Sequence, residues 1–284
     1  MNPYIQSLRL RTLPLSMSGI ILGSGLAYLS TLDFHLSTFL LAICTTLSLQ
    51  ILSNLCNELG DARKGTDSNQ QERQAYGLQS GTITEKQLKG MIWLFLGLCV
   101  IFGTSLIFCA FGSLWCWQSL VFFGLGLLAI IGAITYTLGK HSYGYMGLGD
   151  LGVFLFFGLL STVGAYFLQA QTLSWDVFAC GAAIGFPCVG VLNLNNIRDM
   201  ANDLNHGKRT FASCLGPQGA RSYHTLLLVG CLAILASYGH YWPLCMAPVW
   251  AWHLWYVWTR TQKLDKQMPI LMFTTLVVSI LALL

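Results

Sequence analysis

Two stretches of this chain place oxygen-bearing side chains one helical turn apart. NLCNELGDARKGTDS (54–68) holds Asn57, Asp61 and Asp67, and NLNNIRDMANDLNHGKRT (193–210) holds Asn195, Asn196, Asp199 and Asp203. Residues four apart on a helix share a face. Asn57 therefore stacks on Asp61, Gly65 lets the chain turn before Asp67, and Asn195, Asp199 and Asp203 form one stripe over two turns. Like charges at this spacing repel by a few tenths of a kcal/mol, so something positive must compensate. Hard divalent cations prefer carboxylate oxygens, and Mg²⁺ is typically held by one or two carboxylates together with substrate phosphates. Two facing stripes would hold a diphosphate through bridging Mg²⁺, with Arg63, Lys64, Lys208 and Arg209 near enough in sequence to neutralise the remaining phosphate oxygens. The strongest metal candidates are Asp61, Asp67, Asp199 and Asp203, with Asn57 beside them. Glu58 is weaker because it fits a solvent-facing position, and His206 reads as a loop histidine because Mg²⁺ prefers oxygen. Asn54, inside the helix, reads as an interhelical hydrogen-bonding group. The plainer alternative is solvated carboxylates paired with neighbouring cations. Two islands, each with amides one turn earlier, weigh against it.

The elements that must position these groups follow from composition. Of 284 residues 55% are hydrophobic, only 9% are charged, and mean hydropathy is +0.61; an ordinary soluble domain carries about 25% charged residues. The composition is that of an integral membrane protein. Apolar runs at 13–30, 36–56, 91–112, 115–138, 149–170, 176–196, 221–238, 241–259 and 268–284 each approach the roughly 20 residues that cross the hydrocarbon as a helix. The short alternating segments of a barrel are absent. The predicted fold is all-α: nine transmembrane helices in a single bundle, one domain over 1–284. The first run follows Arg9, Arg11 and Pro14 and carries no small-residue cleavage site, so it reads as a span and not a signal peptide.

In a nine-helix topology all 15 Lys and Arg fall on one side. Cations are retained on the cytoplasmic side, so the N-terminus, both acidic islands and an active-site cavity are expected there. The net charge of +4 then reflects topology and attraction to anionic lipid, not nucleic acid. The ten cysteines form no CxxC pair and sit mostly in apolar runs, as small buried hydrophobes do. Asn57-x-x-x-Asp61 and Asn195-x-x-x-Asp199 close the second and sixth predicted helices, the placement a duplicated four-helix unit would give. A third polar stretch, ITYTLGKHSYGYMGLGDLG (134–152), joins helices on the same face. Its Tyr136, Tyr143 and Tyr145 fit interfacial tyrosines, and Asp150 fits a helix N-terminus; their shared side places Tyr136 and Asp150 near the islands.

These motifs together resemble the two aspartate-rich motifs of the intramembrane aromatic prenyltransferases, the UbiA superfamily. ILSNLCNELGDARKGTD, ITYTLGKHSYGYMGLGDLGVFLFFG, NLNNIRDMANDLNHGKRTFA and the N-terminal RLRTLPLS are similar to the naphthoate-accepting branch that serves menaquinone synthesis. The resemblance implies an Mg²⁺-dependent enzyme of the inner membrane. It would join a polyprenyl diphosphate to 1,4-dihydroxy-2-naphthoate with loss of CO₂ and diphosphate, giving demethylmenaquinone. It assigns Asn57, Asp61, Asp67, Asn195, Asn196, Asp199 and Asp203 to metal and diphosphate, Lys208 and Arg209 to diphosphate, and Tyr136 to the cation or acceptor. Two positions depart from the pattern. Glu58 stands where the family has Asp, and YGLQSG (76–81) lacks the usual basic residue, leaving Arg73 as a substitute. A hydroxybenzoate or haem acceptor, an alcohol phosphotransferase and a transporter are the competing readings. The phosphotransferase leaves the second island unused, and the transporter predicts ionisable groups near the bilayer midplane. No obligate protein partner is implied.

Overall fold

In hydrocarbon each backbone N–H must find a carbonyl within its own segment, which leaves helices and closed barrels as the only spanning structures. A computed structural model describes residues 2–65, 76–260 and 263–284. Among these there is no strand, only an isolated bridge between Met146 and Arg209. The helices are α1 Pro3–Leu8, α2 Leu13–Thr31, α3 Leu36–Lys64, α4 Glu85–Phe111, α5 Trp117–Thr135, α6 Gly149–Val153, α7 Ser161–Ala170, α8 Trp175–Asn205, α9 Phe211–Ser237, α10 Ala247–Thr259 and α11 Gln267–Leu281. A π-helical stretch, Phe154–Leu160, joins α6 to α7 without a break.

Among the described residues eight helical stretches are long and apolar enough to cross a membrane. The ninth predicted span, 241–259, is helical but begins as a 3-10 turn, Trp242–Met246, before α10. Pro243 and Pro248, which lack the donor an α-helical interior requires, stand at the two starts. The 13 residues of α10 and the tighter turn before it together reach about 30 Å, enough for the hydrocarbon core.

The two helices that carry the acidic islands outrun their apolar stretches. α3 has 29 residues and α8 has 31, so each is more than 40 Å long, against roughly 30 Å of hydrocarbon. The excess holds Asn57 and Asp61 on α3, and Asn195, Asp199 and Asp203 on α8. Gly65 ends α3 at φ 72°, in the left-handed region that glycine adopts freely, and its N–H caps the carbonyls of Ala62 and Asp61.

One half of the core joins α2, α8, α9, α10 and α11 through Leu22, Ile184, Leu228, Trp250 and Leu271. The other joins α3 to α4 through Leu52, Cys56 and Cys99. Backbones approach closely where the π-helical stretch meets α8. A Cβ at Gly158 would lie 2.6 Å from the Cα of Gly185 and 2.8 Å from the carbonyl oxygen of Gly181. Small residues allow such contact between membrane helices, and here the obstacle is backbone that cannot rotate away. Gly158→Ala is expected to cost about 2 kcal/mol through overpacking, read as a lower unfolding temperature in detergent.

Candidate functional site

A cavity of about 380 Å³ lies between α2, α3, α4, α5, α7 and α8, and its lining changes character along its length. At one end are Asn57, Asp61, Asn195, Asp199, Asp203 and Lys208; at the other are Ala42, Leu106, Phe122 and Leu168. On α3 alone the lining runs from Asp61 to Ala42, about 28 Å of helix. The shape suits a molecule with an ionic head and a long apolar tail.

Four-residue spacing does bring the two islands to one place. Asp203 is 1% exposed, with Oδ2 3.0 Å from the Lys208 Nζ, and its Oδ1 has no hydrogen-bond partner among the described residues. Lys208 reaches it because Gly207 turns at φ 71° and the Lys208 N–H donates to the Asp203 carbonyl at 2.9 Å. Asp199 is buried and clamped by Arg198, whose Nε and Nη2 donate to its two oxygens at 2.6 and 2.5 Å. Asn57 accepts from the Thr137 hydroxyl at 3.2 Å, which fixes it to the connection after α5. Tyr136 lines the cavity and meets Tyr143 edge to face at 5.2 Å. Burial pushes the Tyr143 phenol up to about 12, so it stays protonated.

Other predicted residues stand apart from the cavity wall. Arg63 turns outward to Glu85 at 2.5 Å. Lys64 bonds the Ser142 hydroxyl and lies 3.7 Å from the centre of the Tyr145 ring. Asn196 is buried behind the lining, Asp150 sits beside the Tyr223 hydroxyl, and the Arg209 N–H donates to the Tyr145 carbonyl at 3.2 Å. Asp67 and Arg73 lie outside the described residues. His206 bonds the Asn202 carbonyl, and Asn54 bonds the Leu8 carbonyl and the Thr12 hydroxyl at 3.0 Å each, while also lining the cavity.

Glu58 is a correction to the sequence reading. It does not face solvent but is fully buried, accepting from the Ser7 hydroxyl at 3.2 Å and from the Leu78 N–H at 2.7 Å. The departure from the family pattern thus ties α1 and the 76–84 turn to α3. Tyr145, which the sequence offered as an interfacial tyrosine, donates its hydroxyl to Asp61 at 2.8 Å and so orients a site carboxylate. Sequence reasoning also passed over Arg9, Arg11, Tyr76 and Arg198. The first three line the cavity, and Arg9 lies over the Tyr76 ring at 4.1 Å. The signal available for the arginines was RLRTLPLS, two cations spaced just before an apolar run.

Among the described residues no three His, Cys, Asp or Glu side chains converge to enclose an ion by themselves. The donor set still fits Mg²⁺, because that ion takes one or two carboxylates and completes its shell from phosphate and water. The orphaned oxygen of Asp203, which lines the same cavity as Asp61 and Asp199, is the kind of buried acceptor such an ion satisfies.

Membrane-crossing helices around a cavity with an acidic mouth and an apolar depth define an intramembrane protein that handles an amphiphile. The sequence profile of the UbiA prenyltransferase family matches residues 16–280, and the chain belongs to that family. It is 40% identical over 249 residues to a 1,4-dihydroxy-2-naphthoate octaprenyltransferase of Escherichia coli (strain K12), covering 88% of this chain and 79% of that one. A protein of the same name from Haemophilus influenzae is 38% identical over 275 residues, covering 94% and 88%. Among solved structures, a UbiA homolog from Archaeoglobus fulgidus bound to GPP and Mg²⁺ matches with a TM-score of 0.69 at 14% identity, over 99% of this chain and 97% of that one. An apo UbiA homolog from Aeropyrum pernix K1 matches with a TM-score of 0.65 at 16% identity, over 99% and 96%. At these identities the structural likeness is one of fold.

Proposed function

We propose that this chain transfers a polyprenyl group from polyprenyl diphosphate to 1,4-dihydroxy-2-naphthoate, with loss of CO₂ and diphosphate, to give demethylmenaquinone in its quinol form. The observation that carries the reading is the pairing of Asp61, Asp199, Asp203 and Lys208 at the mouth of one apolar cavity, in a chain whose relatives at 38–40% identity bear the name of that reaction. Family membership and the apolar helices support a multi-pass protein. The one-sided cations favour an N-terminus and a cavity mouth on the cytoplasmic side of the inner membrane, and the family match over 16–280 supports one prenyltransferase domain over 1–284.

Asp61, Asp199 and Asp203, with Asn57 and Asn195, would hold Mg²⁺ together with the diphosphate; Asp67, outside the described residues, is assigned to the same group by its motif alone. Bound there, the ion would supply positive charge to stabilise the departing diphosphate. Lys208 neutralises further phosphate charge at the same wall. The allylic C–O bond breaks with its electron pair leaving on the diphosphate. The rings of Tyr136 and Tyr143 offer their faces to the resulting allylic cation, and the apolar lining keeps water from it. The electron-rich naphthoate carbon that bears the carboxylate attacks, forming the C–C bond, and loss of CO₂ restores the aromatic ring. Arg63, Lys64, Arg73, Asn196, Arg209 and Asp150 are assigned a flanking role in substrate binding.

Purified protein in detergent with Mg²⁺, a polyprenyl diphosphate and dihydroxynaphthoate should release diphosphate and CO₂ in equal amounts and form a prenylated naphthoquinol. The same preparation should leave 4-hydroxybenzoate unprenylated. Preference for hydroxybenzoate would overturn the acceptor, and absence of product with both would overturn the reaction.

A further inference from the structure

Arg198 carries a full charge at 2% side-chain exposure, and a guanidinium has five N–H donors to satisfy. All five have acceptors. Beyond the two bonds to Asp199, Nη2 donates to the Asn195 Oδ1 at 2.8 Å, and Nη1 donates to the Asp265 Oδ1 at 2.7 Å and to the Met268 sulfur at 3.7 Å. Asp265 lies in the 3-10 turn Leu264–Lys266 before α11, far in sequence from either acidic island. It takes a second arginine: Arg11 donates to its Oδ2 at 3.0 Å and its Oδ1 at 3.3 Å. Two arginines and two carboxylates thus alternate in a row, Arg11, Asp265, Arg198, Asp199; its two ends, Arg11 and Asp199, line the cavity, while Asp265 and Arg198 lie behind the lining.

We propose that Asp265 is a positioning residue for Asp199, acting through Arg198. The inference rests on the reading of Asp199 as a ligand of the Mg²⁺–diphosphate group. A carboxylate has about four lone-pair sites, and the Arg198 fork occupies one on each oxygen of Asp199, leaving the others for a metal. Asp265 holds the opposite edge of the same guanidinium. That contact keeps the fork from tilting into the open side of Asp199 and shares the positive charge that otherwise falls on Asp199 alone. Without Asp265 the same arginine becomes a stronger competitor for the carboxylate that the cation needs. The planar fork matters here, because a lysine ammonium is a single point of charge and does not grip two carboxylates on separate edges.

The test uses Mn²⁺ alone as the probe, its bound fraction counted by electron paramagnetic resonance on the full chain in detergent. Asp265→Asn is expected to raise the half-saturating Mn²⁺ concentration about tenfold, whereas Asp265→Glu, which keeps the charge, stays within about threefold of wild type. Arg198→Lys should match Asp265→Asn, and the double variant should bind no more weakly than Arg198→Lys alone, since one route is broken in both. In turnover, the Mg²⁺ requirement of Asp265→Asn rises in parallel while the rate at saturating Mg²⁺ is largely kept, a split that loss of folded protein does not produce. Wild-type binding by Asp265→Asn overturns the inference, as does a double variant whose losses add. If Asp265→Asn does not fold, unaltered Mn²⁺ binding by Arg198→Lys overturns it equally. Equal Mn²⁺ binding by wild type and Asp199→Ala would instead remove Asp199 from the metal site, and the proposed function would fail first.

Discussion

Asp203→Asn is expected to lower turnover by about 10³-fold or more, with the unfolding temperature unchanged or slightly raised. The two effects have one origin. Asp203 is almost wholly buried, is paired on one side with Lys208, and has an oxygen that no group among the described residues satisfies. A charge held that way costs the fold stability and is retained where it meets an ion or a developing charge. Asn keeps the shape and removes the charge, so the fold loses little, while Lys208, 12% exposed, can extend toward water. Removing a single preorganised electrostatic contact in other enzymes lowers the rate by about 10²–10³-fold, and a metal carboxylate stands at or above the top of that range. The measurement is steady-state diphosphate release beside a thermal melt of the same sample. A variant that keeps wild-type turnover, or that loses activity only because it melts, would remove Asp203 from the site.

Glu58→Ala is expected to have the largest effect on stability, about 3 kcal/mol. Two acceptor contacts vanish at a point with no solvent, one to the Ser7 hydroxyl and one to the Leu78 N–H, and hydrogen bonds to charged groups are worth about 1.5–3 kcal/mol each. Both donors belong to the cover over the cavity, α1 and the 76–84 turn, which also carry Arg9 and Tyr76 to its wall. Activity should therefore fall with the loss of this cover, before the bundle itself unfolds. Limited proteolysis is the direct readout, with cleavage near residue 78 appearing at denaturant concentrations that leave α8 intact. Glu58→Gln keeps an accepting oxygen and should cost about 1 kcal/mol. Cleavage of Glu58→Ala at the wild-type rate would show that the cover is held by other contacts.

What the sequence made legible is what short spacing controls. Asn57 with Asp61, and Asn195 with Asp199 and Asp203, were readable because four residues make one helical turn, and their meeting in one cavity needed only that both helices end on the same side. The apolar runs located nearly every span, and they fell short for α3 and α8 because hydropathy stops at the hydrocarbon boundary while the helices continue to Lys64 and Asn205. Long-range partners carry no such period. Tyr145 finds Asp61 across 84 positions and Arg11 finds Asp265 across 254, and each looks ordinary in its own neighbourhood. Glu58 misled for the opposite reason: it stands in a stretch that also holds Asp61, Arg63 and Lys64, and only the fold of α1 against α3 buries it.

The gradient along the cavity has a consequence for how an amphiphile would arrive. From Asp61 to Ala42 the wall spans about 28 Å of α3, close to the thickness of the bilayer's hydrocarbon. On the proposed reading, a donor lying there keeps the attitude it already has among lipids, head at the surface and tail upright. Its tail exchanges one oily environment for another, and since lipid chains are as apolar as the lining, there is little net gain from burial. Capture then becomes a two-dimensional search, in which molecules drift sideways within a leaflet and are stopped by their heads. Selection then acts on the diphosphate head.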